Sequence, residues 1–247
     1  MKKNVILPIF NEEFLLPYWL RHHVPLFDHG VILNDSSSDR SVEICRELAP
    51  DWTILNSRRK DWDELEFLAE VQGVEEGLDG WKFVIQATEF LMADDLSFLD
   101  GRQDTLGLGV FVMVDPDPGG PLDDRPLWEQ RRGSCGYEDV AWKDVREGKP
   151  RNTGRGARFV HCQKNGAYEL GRHGTRLPHK FVDDPFLLWY GWAPWPEVKA
   201  RRLQFASRIS ELDRARGWNG QHLIDGVDLD RRYEAVRQFA KPLKVTS

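Results

Sequence analysis

Polar side chains follow two short apolar segments near the start of the chain. Asn11, Glu12 and Glu13 come after the apolar residues 5–10, and Asn34 and Asp35 come after residues 31–33. Amides and carboxylates of this kind bind the hydroxyl and N–H groups of polar ligands. An apolar run without alternation indicates a strand that is buried on both faces. We therefore expect two buried strands, each ending in polar side chains.

The elements between and after these strands alternate regularly. Apolar residues at helical spacing predict a helix over residues 14–24, with Pro17 in its first turn, and Ser36 to Asp39 begin a second helix. A third strand is predicted at residues 52–55, a helix at 61–78 and a fourth strand at 81–85. This pattern indicates an α/β fold with a mostly parallel sheet flanked by helices, in which ligands bind at the carboxyl ends of the strands.

These strand ends resemble those of a known enzyme family. Pro8, Asn11 and Glu12, followed by the run from Asn34 to Asp39, resemble the start of a GT-A glycosyltransferase of the family 2-like group. The segment 18–23, YWLRHH, is similar to the first helix of that group. The resemblance implies a GT-A-like, Rossmann-like fold and a UDP- or GDP-linked sugar as donor. It also implies that Pro8, Asn11 and Glu12 line the base and that Asp35 accepts hydrogen bonds from the nucleoside. The alternative is that Asn11 and Asp35 are only turn and cap residues.

The fourth strand departs from the family pattern. GT-A enzymes usually carry Asp-x-Asp there, which holds Mg²⁺ or Mn²⁺ against the diphosphate, whereas this chain has Gln86, Ala87 and Thr88 before Glu89. Three explanations stay open: Glu89 and a later residue hold the metal, arginine and lysine stabilise the diphosphate without metal, or catalysis is lost. By resemblance, His173 would complete the metal or diphosphate site, with His179 as second choice.

A general base and a basic loop complete the implied site. On the family pattern, Asp139 would deprotonate the acceptor hydroxyl, with Glu138 as the alternative, since a hydroxyl is a weak nucleophile until its proton is removed. The same two residues would equally suit the N-cap of a helix. Residues 143–158 are basic, and Arg155 and Arg158 could bind a diphosphate. A solvated basic loop is the alternative.

The rest of the chain is predicted from local signals. Asn165-Gly166 indicates a hairpin that pairs residues 158–164 with 167–173, placing Arg158 opposite His173 and packing His161 inside. Residues 115–124 indicate a surface loop. A helix over 197–216 would present a basic face to solvent, anionic lipid or a polyanionic acceptor. A closing helix is expected around 233–239.

Composition limits the classes of function. The net charge of −6 argues against a general nucleic-acid binder. The three cysteines lack metal-ligand spacing and suit reduced thiols in a cytoplasm. The amino terminus is too short for a secretory signal, and no run reaches membrane-spanning length, so any membrane contact would be peripheral. We expect a single domain over 1–247, with a nucleotide-binding part at about 1–100 and an acceptor-binding, carboxyl-terminal part at about 101–247.

The sequence thus predicts a glycosyltransferase that moves a sugar from a nucleotide-diphosphate donor to a carbohydrate or glycolipid acceptor, as in polysaccharide biosynthesis. A catalytically inactive homologue that still binds nucleotide-sugar is the first alternative. A nucleotidyltransferase is disfavoured, because no glycine-rich loop follows the first strand and Glu12 and Glu13 would repel a triphosphate.

Overall fold

The computed structural model describes residues 1–116, 121–137, 157–195 and 197–243. The chain divides into two units. Unit 1 contains Met1–Gly109 and Ala157–Leu187, and unit 2 contains Val110–Gly156 and Leu188–Ser247. In the part of the chain that is described, no helix is long and apolar enough to cross a membrane.

Unit 1 contains a sheet of four parallel strands. These are β1 (Lys3–Ile9), β2 (His29–Asn34), β3 (Thr53–Asn56) and β4 (Trp81–Val84), in the order β3-β2-β1-β4. Every neighbouring pair is parallel, and β1 pairs with β2 from Asn4↔His29 to Ile9↔Asn34. The predicted α/β fold with a parallel sheet is confirmed. Because the strands are parallel, their carboxyl ends lie at one edge.

Three helices connect these strands: α1 (Leu16–His23), α2 (Ser41–Leu48) and α3 (Glu64–Glu76). Pro17 lies in the first turn of α1, where its missing N–H breaks no helical bond. Asp63 caps α3 by accepting hydrogen bonds from the backbone N–H groups of Leu65 and Glu66. Phe67 and Val71 of α3 are buried in a cluster with strand residues. Each such side chain contributes roughly 1.5–3 kcal/mol through its burial.

A strand that the sequence did not indicate follows β4. It is β5 (Glu89–Met92), and α1 holds its backbone through three side chains. The indole N–H of Trp19 donates to the carbonyl of Glu89 at 2.8 Å. His22 Nε2 bonds the carbonyl of Leu91 at 2.7 Å, and the Leu91 N–H donates to His23 Nε2 at 3.0 Å. The YWLRHH segment therefore fixes the backbone on which Glu89 lies.

The second sheet is mixed. It contains β5, β6 (Thr105–Val114), β7 (Gly133–Tyr137), β8 (Ala157–Val160), β9 (His179–Trp192) and β10 (Lys241–Pro242). The order is β10-β7-β6-β9-β5, and β8 pairs with β6. The β6–β8 ladder is antiparallel, from Leu106↔Val160 to Gly109↔Ala157.

The predicted hairpin of residues 158–173 is wrong. Strand β8 pairs with β6, and Leu170–Arg172 is a short 3₁₀ turn in which Gly171 has φ 70°. The reason lies in α3, where the buried carboxylate of Glu75 accepts a hydrogen bond from the Gly166 N–H at 2.7 Å. Glu75 also accepts bonds from Tyr168 and His161 at 2.7 and 3.0 Å. The Asn165-Gly166 turn is thus tied to a helix, and His161 is buried as expected.

Unit 2 contains four helices among its described residues: α4 (Leu127–Gln130), α5 (Glu197–Arg208), α6 (Glu211–Ala215) and α7 (Gly226–Arg237). The single helix predicted over 197–216 is wrong, because Ser210 ends the run and caps α6 by accepting from the Asp213 N–H. The closing helix begins earlier than expected, at the cap residue Asp225.

Asp115 is buried, although the sequence placed it in a surface loop. Its carboxylate accepts the Trp195 N–H at 2.9 Å and lies 3.4 Å from Arg131 Nε. Its carbonyl accepts the hydroxyl of Tyr233 at 2.8 Å. A buried carboxylate needs such partners, so Asp115 joins β6, α4 and α7 within unit 2.

The buried histidine of α1 makes unit 1 sensitive to acid. His23 Nδ1 bonds the Trp19 carbonyl at 2.9 Å and Nε2 accepts from Leu91, so only the neutral ring satisfies both partners. Burial, followed by the charge of His22, lowers its pKa well below the usual 6.5. The unfolded chain therefore binds more protons, and the contribution of His23 is complete above about pH 6.5 and is lost as the pH falls below it.

We expect the free energy of unfolding of the wild type to fall between pH 6.5 and 5, and the His23→Gln variant to show a shallower fall. Glutamine donates and accepts without titrating in this range. Urea unfolding at several pH values measures both. The exposed His179, replaced in the same way, is the control and should leave the slope in place. An unchanged slope in His23→Gln would contradict this account.

Candidate functional site

The loops after β1 and β2 are joined by hydrogen bonds. Asn11, at φ 50°, accepts the Ser38 N–H at its side-chain oxygen at 2.7 Å. The Asn11 N–H donates to Ser37 Oγ at 3.1 Å, and the Glu12 N–H donates to Ser41 Oγ at 2.7 Å. The structure therefore brings together the loops after β1 and β2, both of which contain residues that were predicted to bind the nucleoside. It also gives Asn11 the turn role that the sequence left open, while Pro8 lies half-buried in β1 opposite Leu33.

Asp35 is buried at the end of β2 and pairs with an arginine that the sequence analysis did not single out. Arg59 Nη2 lies 3.2 Å from Asp35 Oδ2, and Arg59 Nε donates to Glu70 at 2.9 Å. The guanidinium lies 4.9 Å from the ring centre of Trp62 and 5.1 Å from that of Phe67. Asp35, which was predicted to bind the nucleoside, is thus held in place by a buried cation. That cation, Arg59, is itself fixed by two aromatic rings.

The carboxyl of Glu70, the second partner of Arg59, has a shifted pKa that shows the effect of its hydrogen-bond donors. Burial alone would raise the pKa of its carboxyl, but hydrogen bonds from Arg59, Arg58 and Ser57 outweigh burial and lower it. Both oxygens of Glu70 also accept from the hydroxyl of Ser57, at 3.0 and 2.7 Å. Arg59 follows the predicted third strand by four residues, and this spacing alone does not identify the group in the sequence.

Three of the predicted residues form a hydrogen-bonded chain. Glu89 is fully buried, and its Oε1 accepts from Arg158 Nε at 2.6 Å. Its Oε2 accepts from the backbone N–H of Gln86 at 2.9 Å. Arg158 Nη1 lies 3.0 Å from His173 Nδ1. Because a guanidinium only donates, Nδ1 accepts, and the neutral ring carries its proton on Nε2.

A third buried arginine, Arg172, lies at the end of β4. Its Nη1 donates to the Val84 carbonyl at 2.6 Å, and its guanidinium lies 5.7 Å from the Phe67 ring centre. Its Nη2 has no hydrogen-bond acceptor among the residues that the structure describes. Burial, together with the charge of Arg158, lowers the pKa of Arg172, whereas the charge of Glu89 raises it. The sequence analysis weighed only its neighbour His173.

Among the residues that the structure describes, the surroundings of Glu89 do not fit a divalent cation. Mg²⁺ and Mn²⁺ need several oxygen ligands, but both oxygens of Glu89 already accept bonds from protein donors, one of which is the guanidinium of Arg158. Within residues 1–116, 121–137, 157–195 and 197–243, no group of three His, Cys, Asp or Glu is arranged to hold a metal. His179 packs against Phe159 and Phe181 instead.

Glu138, Asp139 and Arg155 lie outside the described residues. The roles of Asp139 as general base, of Glu138 as its alternative and of Arg155 as a diphosphate ligand stay predictions.

Comparison with protein-family models and with curated proteins finds no match. Among solved structures, S. aureus TarS 1–349 is similar at a TM-score of 0.42 and 10% identity, over 97% of this chain and 72% of that chain. Its complex with UDP-GlcNAc gives 0.45 and 11%, over 84% and 64%. Glucosyl-3-phosphoglycerate synthase from Mycobacterium tuberculosis, with Mn²⁺, UDP and glucosyl-3-phosphoglycerate, gives 0.42 and 15%, over 85% and 81%. The chain is structurally similar to GT-A fold glycosyltransferases. This chain spans less than two thirds of the chain in the UDP-GlcNAc complex.

We expect the ion pair of Glu89 and Arg158 to contribute strongly to the free energy of unfolding. Glu89→Gln leaves Arg158 as a buried cation without its anion, which should lower the free energy of unfolding by about 3 kcal/mol. The double variant Glu89→Leu with Arg158→Leu should be more stable than Glu89→Gln, because both charges of the pair are removed together. Urea unfolding measures both. The exposed pair of Arg40 and Glu43 provides the control, since Glu43→Gln should cause no measurable change. Equal stability of wild type and Glu89→Gln would refute the assignment.

Proposed function

We propose that this chain transfers a sugar from a nucleotide-diphosphate donor to a carbohydrate or glycolipid acceptor, without a metal at Glu89. One observation carries the proposal. At the carboxyl edge of the β3-β2-β1-β4 sheet, unit 1 contains two groups. One is the pair of hydrogen-bonded loops after β1 and β2, and the other is His173, whose Nδ1 is bonded by Arg158. The first group suits a nucleoside and the second suits a diphosphate.

The nucleoside would bind at the loops after β1 and β2. Backbone groups of residues 11–13 are held by Ser37, Ser41 and Asp39, so the loop is ordered before any ligand arrives. Arg59 fixes the orientation of the Asp35 carboxylate, which would accept hydrogen bonds from ribose hydroxyls or the base. Preorganisation of this kind raises affinity by reducing the entropy lost on binding.

The diphosphate would be stabilised by fixed protein charges. When the bond from the sugar to the diphosphate breaks, its electrons go to the leaving phosphate oxygen, where negative charge develops. His173 would donate its Nε2 proton in a hydrogen bond to that oxygen. Arg158, which holds His173 Nδ1, acts as a positioning residue, and Arg158 and Arg172 add positive charge behind the imidazole. Donors that are fixed before the reaction stabilise such charge without reorganising.

The acceptor reaction needs a base. Asp139, or Glu138 in its place, would take the proton of the acceptor hydroxyl while its oxygen attacks the anomeric carbon of the sugar. The products are the glycoside, the nucleoside diphosphate and the protonated carboxyl.

A second candidate is a nucleotide-sugar-binding protein without turnover. The replacement of Asp-x-Asp by Gln86, Ala87 and Thr88 favours it. It predicts the same binding as the enzyme and differs only in turnover.

Calorimetric titration with UDP, GDP, UDP-glucose and UDP-GlcNAc, each with Mn²⁺ or with EDTA, tests the binding site. UDP-GlcNAc is included because it is the ligand of a TarS complex. We expect one nucleotide family to bind with an affinity that Mn²⁺ changes by less than about threefold, since Arg158 already pairs with the Glu89 carboxylate. Asp35→Ala should weaken binding at least tenfold, whereas Asp28→Ala, at an exposed site at the opposite end of β2, should not. Binding that requires Mn²⁺ would refute the metal-free site, and binding of none of these ligands would refute the proposed function.

Turnover of the bound donor is measured by release of nucleoside diphosphate. It distinguishes the enzyme from the second candidate, a protein that binds nucleotide-sugar without turnover (the silent binder). His173→Gln should lower kcat by about 10²-fold, the loss typical of one donor to developing charge. Asp139→Asn should lower kcat by at least about 10²-fold while donor affinity stays within a factor of three. His179→Gln is the matched control and should retain activity. Absence of turnover in the wild type with any acceptor tried would favour the silent binder.

A further inference from the structure

Unit 2 contains an arginine that is stacked on tryptophan and has no acidic partner among the described residues. The guanidinium of Arg202, on α5, lies 4.1 Å from the ring centre of Trp192 and 5.6 Å from that of Trp189. Its Nε donates to the Gly191 carbonyl at 2.9 Å. In the described part of the chain this is its only hydrogen bond, and the side chain is half-buried. The stacking fixes the plane of the guanidinium and leaves Nη1 and Nη2 without an acceptor.

The charges near Arg202 are positive. Burial, followed by the charges of Arg201 and Arg232, lowers its pKa to about 9. Burial and the same three arginines lower the pKa of His222 to about 3, so this ring is neutral at physiological pH. The Nδ1 atom of His222 is buried and has no hydrogen-bond partner among the described residues.

The acidic residues on the neighbouring helix are paired elsewhere. Asp230 lies 2.6 Å from Lys199, and Asp228 lies 3.0 Å from Arg231. Glu234 lies 2.6 Å from Arg237. Each of these three carboxylates therefore has a cationic partner other than Arg202. Positive charge that is partly removed from water is costly without an anion.

We infer that unit 2 has a binding site for the phosphate or carboxylate group of an acidic carbohydrate, with Arg202 as its central donor. The two terminal nitrogens of a guanidinium form parallel hydrogen bonds with two oxygens of one anion. Arg201 and Arg232 would add charge, and the half-buried Trp189 offers part of its ring to a sugar. No atom of Arg202 would have to leave its aromatic stack.

That the ligand is the acceptor of sugar transfer rests on the proposed function, but the binding of an anion does not. In structural terms, Arg202 could instead serve only to pack α5 on the tryptophans. The two roles differ in their ligands, since packing alone selects no anion.

Calorimetric titration of the whole chain, without nucleotide, with glucose 6-phosphate, glucuronate and glucose separates these roles. We expect glucose 6-phosphate, glucuronate or both to bind at least tenfold more tightly than glucose, and the better ligand identifies the anion. Arg202→Gln should weaken that binding at least tenfold. Arg202→Lys keeps the charge but loses the planar fork, and should weaken it at least threefold. Arg231→Gln removes one exposed positive charge from α7 and should change it less than twofold.

Failure to bind either anion, or equal binding by wild type and Arg202→Gln, would overturn the inference. If Arg202→Gln does not fold, ¹⁵N spectra of the wild type replace it, with the Arg202 Nε–H signal assigned through Arg202→Lys. That signal should shift with glucose 6-phosphate or glucuronate and not with glucose, and the absence of a shift would also overturn the inference. Titration of the same preparations with UDP distinguishes failure of the anion site from failure of the proposed function. UDP binding without anion binding refutes only this site, and anion binding without UDP binding refutes only the proposed function.

Discussion

The arrangement of unit 1 depends on a carboxylate that has no access to water. Glu89 is fully buried, and an ionised carboxylate in such a place requires a cation and N–H donors. Arg158 supplies the cation from β8, and the Gln86 N–H supplies a donor from the turn before β5. Arg158 in turn bonds His173, which follows the 3₁₀ turn. One electrostatic requirement thus brings three distant segments of the chain to the same point.

The same requirement explains why this site differs from one built on Asp-x-Asp. A group of carboxylates needs a divalent cation, because no single side chain offsets so much negative charge. Here Gln86 and Thr88 are neutral, so the charge of Glu89 is offset by one guanidinium. Neutral side chains at positions 86 and 88 and a single guanidinium at Glu89 are therefore electrostatically consistent with each other. A fixed guanidinium does not depend on ions in solution, which suits the metal-free chemistry proposed for His173.

The parts of unit 1 that were predictable from sequence are those set by local pattern. Strands β1 to β4 and helices α1 to α3 were anticipated because apolar runs and helical spacing lie within short windows. Strand β5 was missed because its backbone is held by side chains of α1, about seventy residues earlier in the chain. The Asn165-Gly166 signal failed for a similar reason, since Glu75 binds the Gly166 N–H and β8 pairs with β6. Arg59 and Arg172 were missed as site residues because a single arginine has no periodicity. Only the folded structure shows that the ring of Phe67 lies near the guanidinium groups of both Arg59 and Arg172.

Arg202 of unit 2 differs from the arginines of unit 1 that pair with buried acids, and the difference is informative. In unit 1, Arg59 pairs with Asp35 and Glu70, and Arg158 pairs with Glu89, so these cations are needed to neutralise buried acids. In unit 2, Arg202 has aromatic rings and one carbonyl as partners but no acid. Stacking on tryptophan lowers the cost of partial burial without neutralising the charge. A cation placed in this way, whose terminal nitrogens have no acceptor in the described part of the chain, is suited to an anion that comes from outside the chain.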